Sequence, residues 1–328
     1  MIKGIPLPLI YKACWLNQYR TRELILWWET GVKDWQSLSK YCPAVFSVYQ
    51  HKRRRQHWPD KCKAAKLLLS DKAALLKKTP SKWRSPYLEI SNKFSTQTAA
   101  PDWWSKALVA DGVVLKPLRG YGGQGVMRFR WSDEGLEQEA LINHYCMDTV
   151  PLSNCSIPCP KTLLTRWQQL CNRHVPALAS PYLRHSYELP ETDPSTVVRV
   201  ITSRSSPQAY ASVEQIWLEV PLGDGSITFM DRMGFCLPKL GKKLSDSQQN
   251  FLDQWKDLLR KGVPPCVSSC MEAAVAMHMQ VPPIDRVAWD WIPRDDQPLL
   301  LEGNGEFDLF VPELFNHCHS SAQPSIMT

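Results

Sequence analysis

Between Val113 and Trp131 the chain reads Val-Val-Leu-Lys116-Pro-Leu-Arg119-Gly120-Tyr-Gly122-Gly123-Gln-Gly125-Val-Met-Arg-Phe-Arg-Trp, and no other stretch restricts the fold as tightly. The apolar run up to Lys116 predicts a buried strand, and the alternation of apolar and basic residues from Val126 to Trp131 predicts a second. Four glycines in six positions join them. Such a loop reaches positive φ freely, and its N–H groups can approach a polyphosphate without interference from Cβ atoms. Gly120-x-Gly122-x-x-Gly125 spells the dinucleotide fingerprint, but that motif opens a helix and here a strand follows. A phosphate-binding Walker loop ends in Gly-Lys-Ser/Thr, whereas Lys116 comes before the glycines. A protein-kinase glycine loop would be accompanied by His-Arg-Asp and Asp-Phe-Gly, and the chain has neither. Strand, lysine, glycine loop, strand remains, with a plain tight hairpin as the structural alternative.

The chain has 328 residues, 44% hydrophobic and 22% charged, enough for two or three subdomains around a sizeable core. No apolar run approaches the roughly 18 residues that span a bilayer, and Met1 to Gln18 lacks a signal-peptide layout, so a cytoplasmic protein is expected. Eleven cysteines, an odd number in a long chain, fit reduced thiols better than a disulfide framework. The net charge of +7 is unevenly distributed: residues 1–83 hold 17 Lys/Arg against 5 Asp/Glu, and the remainder holds 22 against 27. The basic peak is His51-Lys-Arg-Arg-Arg-Gln-His57, continued by Lys61, Lys63 and Lys66. It suits nucleic acid, anionic lipid or a polyanionic substrate, or simply a solvated helix face.

Periodicity divides the chain in three. Residues 1–100 read as a helical basic region, with Leu9 to Thr30 and Asp60 to Lys78 as helices and Thr79-Pro80 stopping the second. Residues 101–175 hold the glycine loop between strands. Asp133 to Tyr145 then reads as an amphipathic helix, Pro151 to Pro160 as a connector, and Pro160 as the first turn of a helix to His174. Residues 176–328 begin with strands at Thr196–Thr202, Tyr210–Val220 and Ser226–Asp231, with Gly223-Asp-Gly225 as a hairpin turn. Ser245-x-x-Gln248 is a capping box opening a helix to Lys261. A further helix is expected over Cys266 to Gln280, and the tail after His317 is expected to be loose.

A second constellation lies in Arg286-Val-Ala-Trp-Asp290-Trp-Ile-Pro-Arg-Asp-Asp-Gln-Pro-Leu-Leu-Leu-Glu302-Gly-Asn304, which reads as strand, polar turn, strand. Glu302 and Asn304, two apart, face the same way, and a hairpin sets Asp290 opposite or diagonal to them. The apolar neighbours Trp289, Trp291, Leu299, Leu300 and Leu301 argue that this hairpin is buried. Buried carboxylates need a partner, and Mg²⁺ is one that takes a few such oxygens together with water and phosphate. Cys155/Cys159, Cys266/Cys270 and His317-Cys318-His319 lack zinc-finger register. No Gly-x-Ser-x-Gly nucleophile elbow is present.

Together the two constellations resemble the ATP-grasp superfamily, in which two α+β lobes with antiparallel sheets clamp ATP. The likeness spans about residues 65 to 315. More narrowly, Leu69-Ser-Asp71-Lys72, Val197-Val-Arg199-Val-Ile-Thr202 and Leu301-Glu302-Gly303-Asn304 resemble sugar-transfer associated ATP-grasp proteins, which are linked with polysaccharide decoration. The resemblance implies that Lys116 and Lys72 meet the ATP phosphates and that the loop of Gly120, Gly122, Gly123 and Gly125 folds over them. It implies Asp290, Glu302 and Asn304 as magnesium ligands, and Arg199 facing the terminal phosphate as a catalytic residue beside Lys116. Ser180, Tyr182 and Leu183 fall at the family's adenine hinge, and Glu188 at the ribose.

The implied activity is that of an ATP-dependent carboxylate–amine (or thiol) ligase working through an acylphosphate. The basic N-terminus would suit an anionic saccharide or peptide acceptor. An ATP-grasp phosphotransferase is the enzymatic alternative, and a basic protein binding nucleic acid or a membrane surface is the non-catalytic one. Two departures stand out. The N-terminal region is not the α/β domain with which many such ligases begin, and Asp231-Arg232 stands where relatives often carry an asparagine motif.

Overall fold

The computed structural model describes residues 61–91, 99–119, 125–141, 148–150, 157–172, 174–223, 227–237, 244–305, 307, 311 and 315. The expected helix at Leu9–Thr30, the basic peak at 51–57, Gly120, Gly122, Gly123, Cys155 and the His317–His319 tail lie outside them.

Two antiparallel sheets organise these residues, giving an α+β architecture. In chain order the elements are α1 (Lys61–Ser70), α2 (Lys72–Lys78), β1 (Leu88–Ile90), α3 (Trp103–Val109), β2 (Val113–Pro117), β3 (Met127–Ser132), β4 (Gly135–Ala140), β5 (Asp148–Val150), α4 (Pro160–Cys171), β6 (Ala177–Pro181), β7 (Val197–Ser203), β8 (Ser212–Pro221), β9 (Ile227–Asp231), α5 (Asp246–Arg260), α6 (Pro265–Gln280), β10 (Arg286–Ile292) and β11 (Leu299–Asn304). The smaller lobe has strand order β1-β6-β2-β3-β4-β5 and the larger has β11-β10-β7-β8-β9. Leu88–Ile90, which the sequence division groups with residues 1–100, thus joins the small sheet through β6.

Each sheet packs one face on the helices of its own lobe. Val113, Leu115, Phe129, Ala177 and Ala179 turn toward Trp104 and Leu108 of α3 and Leu163, Leu164 and Trp167 of α4. Lys116 and its cross-strand partner Leu178 face the other way, and there Leu178 packs on Ala73 and Leu76 of α2. In the large lobe Val198, Val200, Leu218, Val220, Trp289 and Trp291 pack under α5 and α6. Leu75 of α2 and Leu69 of α1 belong to that same large-lobe core, so the α1–α2 pair bridges the lobes.

Local chemistry accounts for the element ends. Ser245 and Gln248 form the expected reciprocal capping box at the start of α5. Pro160 opens α4, which ends at Asn172 in the left-handed region. The Asp60–Lys78 helix is broken at Asp71, whose side chain accepts the Ala74 N–H at 3.0 Å and caps a new helix. That break makes Lys72 the first residue of α2, and its amide N–H donates to the Leu118 carbonyl just beyond β2.

One expectation is overturned: Asp133–Tyr145 does not form a helix across its described residues. Gly135, at φ 126°, closes a tight turn after Ser132, and β4 returns along β3. Alternation then wins, because Leu136 and Gln138 are buried while Glu137 and Glu139 pair with Arg130 and Arg128.

The large-lobe core also contains a directed polar chain. Trp289 Nε1 donates to Thr202 Oγ1 at 2.8 Å, the Thr202 hydroxyl meets His278 Nδ1 at 2.7 Å, and His278 Nε2 meets the Ile284 carbonyl at 2.9 Å. A neutral ring with its proton on Nε2 satisfies all three, the Thr202 hydroxyl donating to Nδ1 and the Nε2–H to the carbonyl. Burial accordingly lowers His278 from 6.5 to about 4. A folded value below the unfolded one means that the unfolded chain binds the extra proton, so stability is lost as pH falls from 6.5 toward 4. The expected loss from this residue is about 3 kcal/mol. Urea unfolding at pH 7 and pH 4.5, compared between wild type and His278→Gln, should show the variant less stable at pH 7 but with a shallower pH dependence.

Candidate active site

The face of the large sheet turned away from its core carries one cross-strand row: Glu302 on β11, Asp290 on β10, Arg199 on β7, Trp217 on β8 and Asp231 on β9. Directly paired antiparallel residues project to the same side, so register alone assembles this row. Asn304, two residues beyond Glu302, shares its face, and its Nδ2 donates to Glu302 Oε1 at 3.0 Å. The intervening Gly303 has to lack a side chain. A Cβ there would meet the Trp289 ring at 2.7 Å and Leu69 at 2.9 Å, so this glycine lets β11 lie flat on the core while its neighbours present their oxygens.

Arg199 makes a fork on Asp290, Nε to Oδ1 at 2.5 Å and NH2 to Oδ2 at 2.6 Å, and its NH1 lies 3.4 Å from Glu219 Oε1. Burial alone would weaken the guanidinium's hold on its proton, but Asp290 and Glu219 raise its affinity well above the ordinary value. Burial pushes the Asp290 carboxyl upward, against the pull of Arg199, with Glu302 and Glu219 adding to the rise. With a guanidinium on both its oxygens, Asp290 is held as the carboxylate of an ion pair.

The small lobe supplies cations to this row. Lys116 ends the buried strand that precedes the glycine loop, and its Nζ donates to the Leu301 carbonyl at 3.0 Å, across 185 positions of sequence. Lys72 Nζ lies 3.5 Å from Glu302 Oε2. Both lysines are buried. Burial brings Lys116 down to about 8, and the neighbouring Lys72 adds to the fall while Glu302 opposes it. Glu302 is half-buried, and its desolvation would raise it, but Lys72, Asn304 and Lys116 carry it below its usual value. Three cations, Lys72, Lys116 and Arg199, thus meet three carboxylates, Glu302, Asp290 and Glu219.

The remaining sequence-predicted residues fall as follows. Gly125, at φ 78°, closes the glycine loop, and its carbonyl accepts from Trp167 Nε1 at 2.7 Å, which anchors the loop's end to α4. Ser180 pairs with Val114 on the Lys116-bearing face of β6. Tyr182, where the chain leaves the small sheet, is committed to structure. Its N–H donates to the Gly112 carbonyl, its hydroxyl donates to Asp193 at 2.8 Å and accepts from the Ser195 N–H, and the Arg128 guanidinium stacks 4.0 Å above its ring. Leu183 follows, half-buried. Glu188 is exposed, in the segment between β6 and β7. Cys266 and Cys270 sit in the large-lobe core.

Glu219, Trp217 and the Leu301 carbonyl were missed by reading the sequence. The available signal was the β8 pattern Gln215-Ile-Trp217-Leu-Glu219, polar or amphipathic at every second position, which only the β7–β8 register relates to Arg199.

Asp290, Glu302 and Asn304 form a hard-oxygen set of two carboxylates and an amide on one face. That number of protein oxygens suits a Mg²⁺ ion completed by water and phosphate oxygens. No group of three or more His, Cys, Asp or Glu among the described residues is arranged to hold a metal. No described helix is long and apolar enough to cross a membrane.

No family model and no curated protein matches the sequence. Similar solved structures include D-alanine–D-alanine ligase from Bacillus anthracis complexed with ATP, at 10% identity and TM-score 0.43, covering 79% of this chain and 62% of that one. N5-carboxyaminoimidazole synthetase from Staphylococcus aureus complexed with ADP matches at 11% and 0.39, covering 73% and 45%. L-amino acid ligase from Bacillus licheniformis matches at 8% and 0.35, covering 74% and 42%. The chain thus spans less than two thirds of the length of these proteins.

Proposed function

We propose that the chain is an ATP-grasp enzyme that joins a carboxylate to an amine (or thiol) at the expense of ATP. The observation that carries this reading is the meeting of Lys116 with Leu301 and of Lys72 with Glu302. The lysine preceding the glycine loop is brought against the strand of the Glu-x-Asn pair, and the two halves of the sequence signature become one site.

In this reading the donor carboxylate attacks the γ-phosphorus of ATP, an O–P bond forms, the bond to the β-phosphate oxygen breaks, and ADP leaves. The amine nitrogen then attacks the acyl carbon, the C–N bond forms, phosphate departs with the C–O bond's electrons, and the nitrogen loses a proton. Lys116, Lys72 and the loop N–H groups offset phosphate charge, and Arg199 neutralises charge on the transferred group. Asp290, Glu302 and Asn304 would hold Mg²⁺, which when bound would screen the phosphate oxygens. Ser180 to Leu183 border the adenine, and Glu188 serves the ribose by rotation of its exposed side chain. The acceptor is an anionic saccharide or peptide drawn by the basic N-terminal segment, in the manner of enzymes that decorate polysaccharides, in the cytoplasm.

Calorimetric titration of the full chain with Mg²⁺ and a non-hydrolysable ATP analogue tests the site. Lys116→Ala should weaken binding by about 10- to 100-fold, the loss of a charge-assisted contact to phosphate. Wild-type affinity in that variant would transfer the reading to a non-catalytic protein. Product analysis then separates the chemistries: ADP, free phosphate and an amide mark a ligase, and a phosphorylated acceptor without free phosphate marks a kinase.

A further inference from the structure

β8 places Gln215, Trp217 and Glu219 at alternate positions on the charged face of the large sheet. Trp217 is only 2% exposed, with the Arg199 guanidinium 5.9 Å from its ring, and its indole N–H has no hydrogen-bond partner among the described residues. Gln215 Oε1 is likewise buried and without a partner. The indole nitrogens of Trp255 and Trp291 also lack partners, but those rings lie inside the large-lobe core. Native interiors keep such atoms few, and these two are neighbours on one strand beside Arg199. Glu219 completes the series. Arg199 spends Nε and NH2 on both oxygens of Asp290 and reaches Glu219 only with NH1, at 3.4 Å, so one guanidinium faces two carboxylates and Glu219 is the more loosely held. Along one face of the strand the side chains run acceptor, donor, anion.

We propose that this strand is the subsite for the attacking amine, and that it selects a primary ammonium flanked by hydroxyl groups over a plain alkyl amine. The proposal rests on the ligase reading above and adds the class of the second substrate. The ammonium sits on Glu219, two residues along β8 from Trp217, the cross-strand partner of Arg199, and so diagonal to the Arg199–Asp290 pair where the acyl group is activated. A neighbouring hydroxyl oxygen accepts the Trp217 N–H, and a hydroxyl proton goes to Gln215 Oε1. An alkyl amine leaves both buried groups unpaired, the situation in which polar sites discriminate most strongly.

The test is ligand-observed NMR on the full chain with Mg-ADP present, using 2-amino-1,3-propanediol, with 2-aminopropane (ammonium only) and glycerol (hydroxyls only) as matched controls. The aminodiol should bind about tenfold or more tighter than either control. Glu219→Gln should remove most of that binding, and Trp217→Phe should bring the aminodiol and 2-aminopropane to within about twofold. Gln215→Met, a milder change, should narrow the same preference if Trp217→Phe fails to fold. Equal binding of the aminodiol and 2-aminopropane to wild type, or unchanged aminodiol binding in Glu219→Gln, overturns the proposal. Mg-ADP titration of the same samples separates the two readings. A chain that does not bind Mg-ADP loses the ligase reading and this one with it, whereas Mg-ADP binding without aminodiol preference defeats the subsite alone.

Discussion

On the proposed ligase reading, Glu302→Gln should lower ATP turnover on the order of 100-fold or more and flatten the dependence of nucleotide binding on Mg²⁺. The substitution keeps size and one acceptor oxygen, so the Asn304 Nδ2 contact to position 302 can persist. What it removes is the negative charge shared by Lys72 and, through the field of the site, by Lys116 and Arg199. The strand itself is held by Gly303 lying flat on Trp289 and Leu69, which the variant leaves alone, so global unfolding is not the expected route to lost function. Nucleotide binding measured with and without Mg²⁺ distinguishes the causes. If Glu302 is a metal ligand, Mg²⁺ should strengthen binding in wild type and do little in the variant. A variant that keeps the full Mg²⁺ effect would remove Glu302 from the metal set and leave it as the counter-ion of Lys72.

The parts of this site legible in the sequence are those whose cause is local. Alternation and glycine content give Val113–Pro117 and Met127–Ser132 as strands around a loop, and Ser245-x-x-Gln248 gives a helix start, because each depends on residues within a few positions. Glu302 and Asn304 share a face for the same reason, and the hairpin puts Asp290 directly across from Glu302. Where two periodicities compete locally, the sequence misleads. Leu136, Ala140 and Leu141 fit a helical stripe, and only the turn at Gly135 decides for β4. Long-range partners are a different matter. Nothing near Arg199 in sequence announces that Asp290 and Glu219 will take its donors, nor anything near Lys116 that a backbone carbonyl 185 positions away will accept from it. Both follow from sheet order, in which β7 runs between β10 and β8 and the α1–α2 bridge brings the lobes together.

Arg199→Met should destabilise the protein by about 3–5 kcal/mol, because it leaves Asp290 as a buried carboxylate whose two oxygens have lost their fork. Asp290→Asn alone should cost less, since a neutral amide replaces the charge and Arg199 retains Glu219 as partner. In the double variant much of the Arg199→Met penalty should disappear, and the cycle should return a coupling of about 2 kcal/mol or more. Denaturant unfolding of the four proteins at neutral pH gives this value. If the penalties simply add, the pair does not act as the buried ion pair its geometry describes. A further arm ties stability to the proposed metal site. With Arg199 gone, a divalent cation is the natural partner for Asp290 across from Glu302, so Mg²⁺ should raise the unfolding midpoint of Arg199→Met more than that of wild type, where the guanidinium competes. The added Mg²⁺ effect should vanish in the double variant, which lacks the carboxylate. Equal Mg²⁺ responses in all four proteins would place the metal elsewhere and leave Asp290 as the structural counter-ion of Arg199.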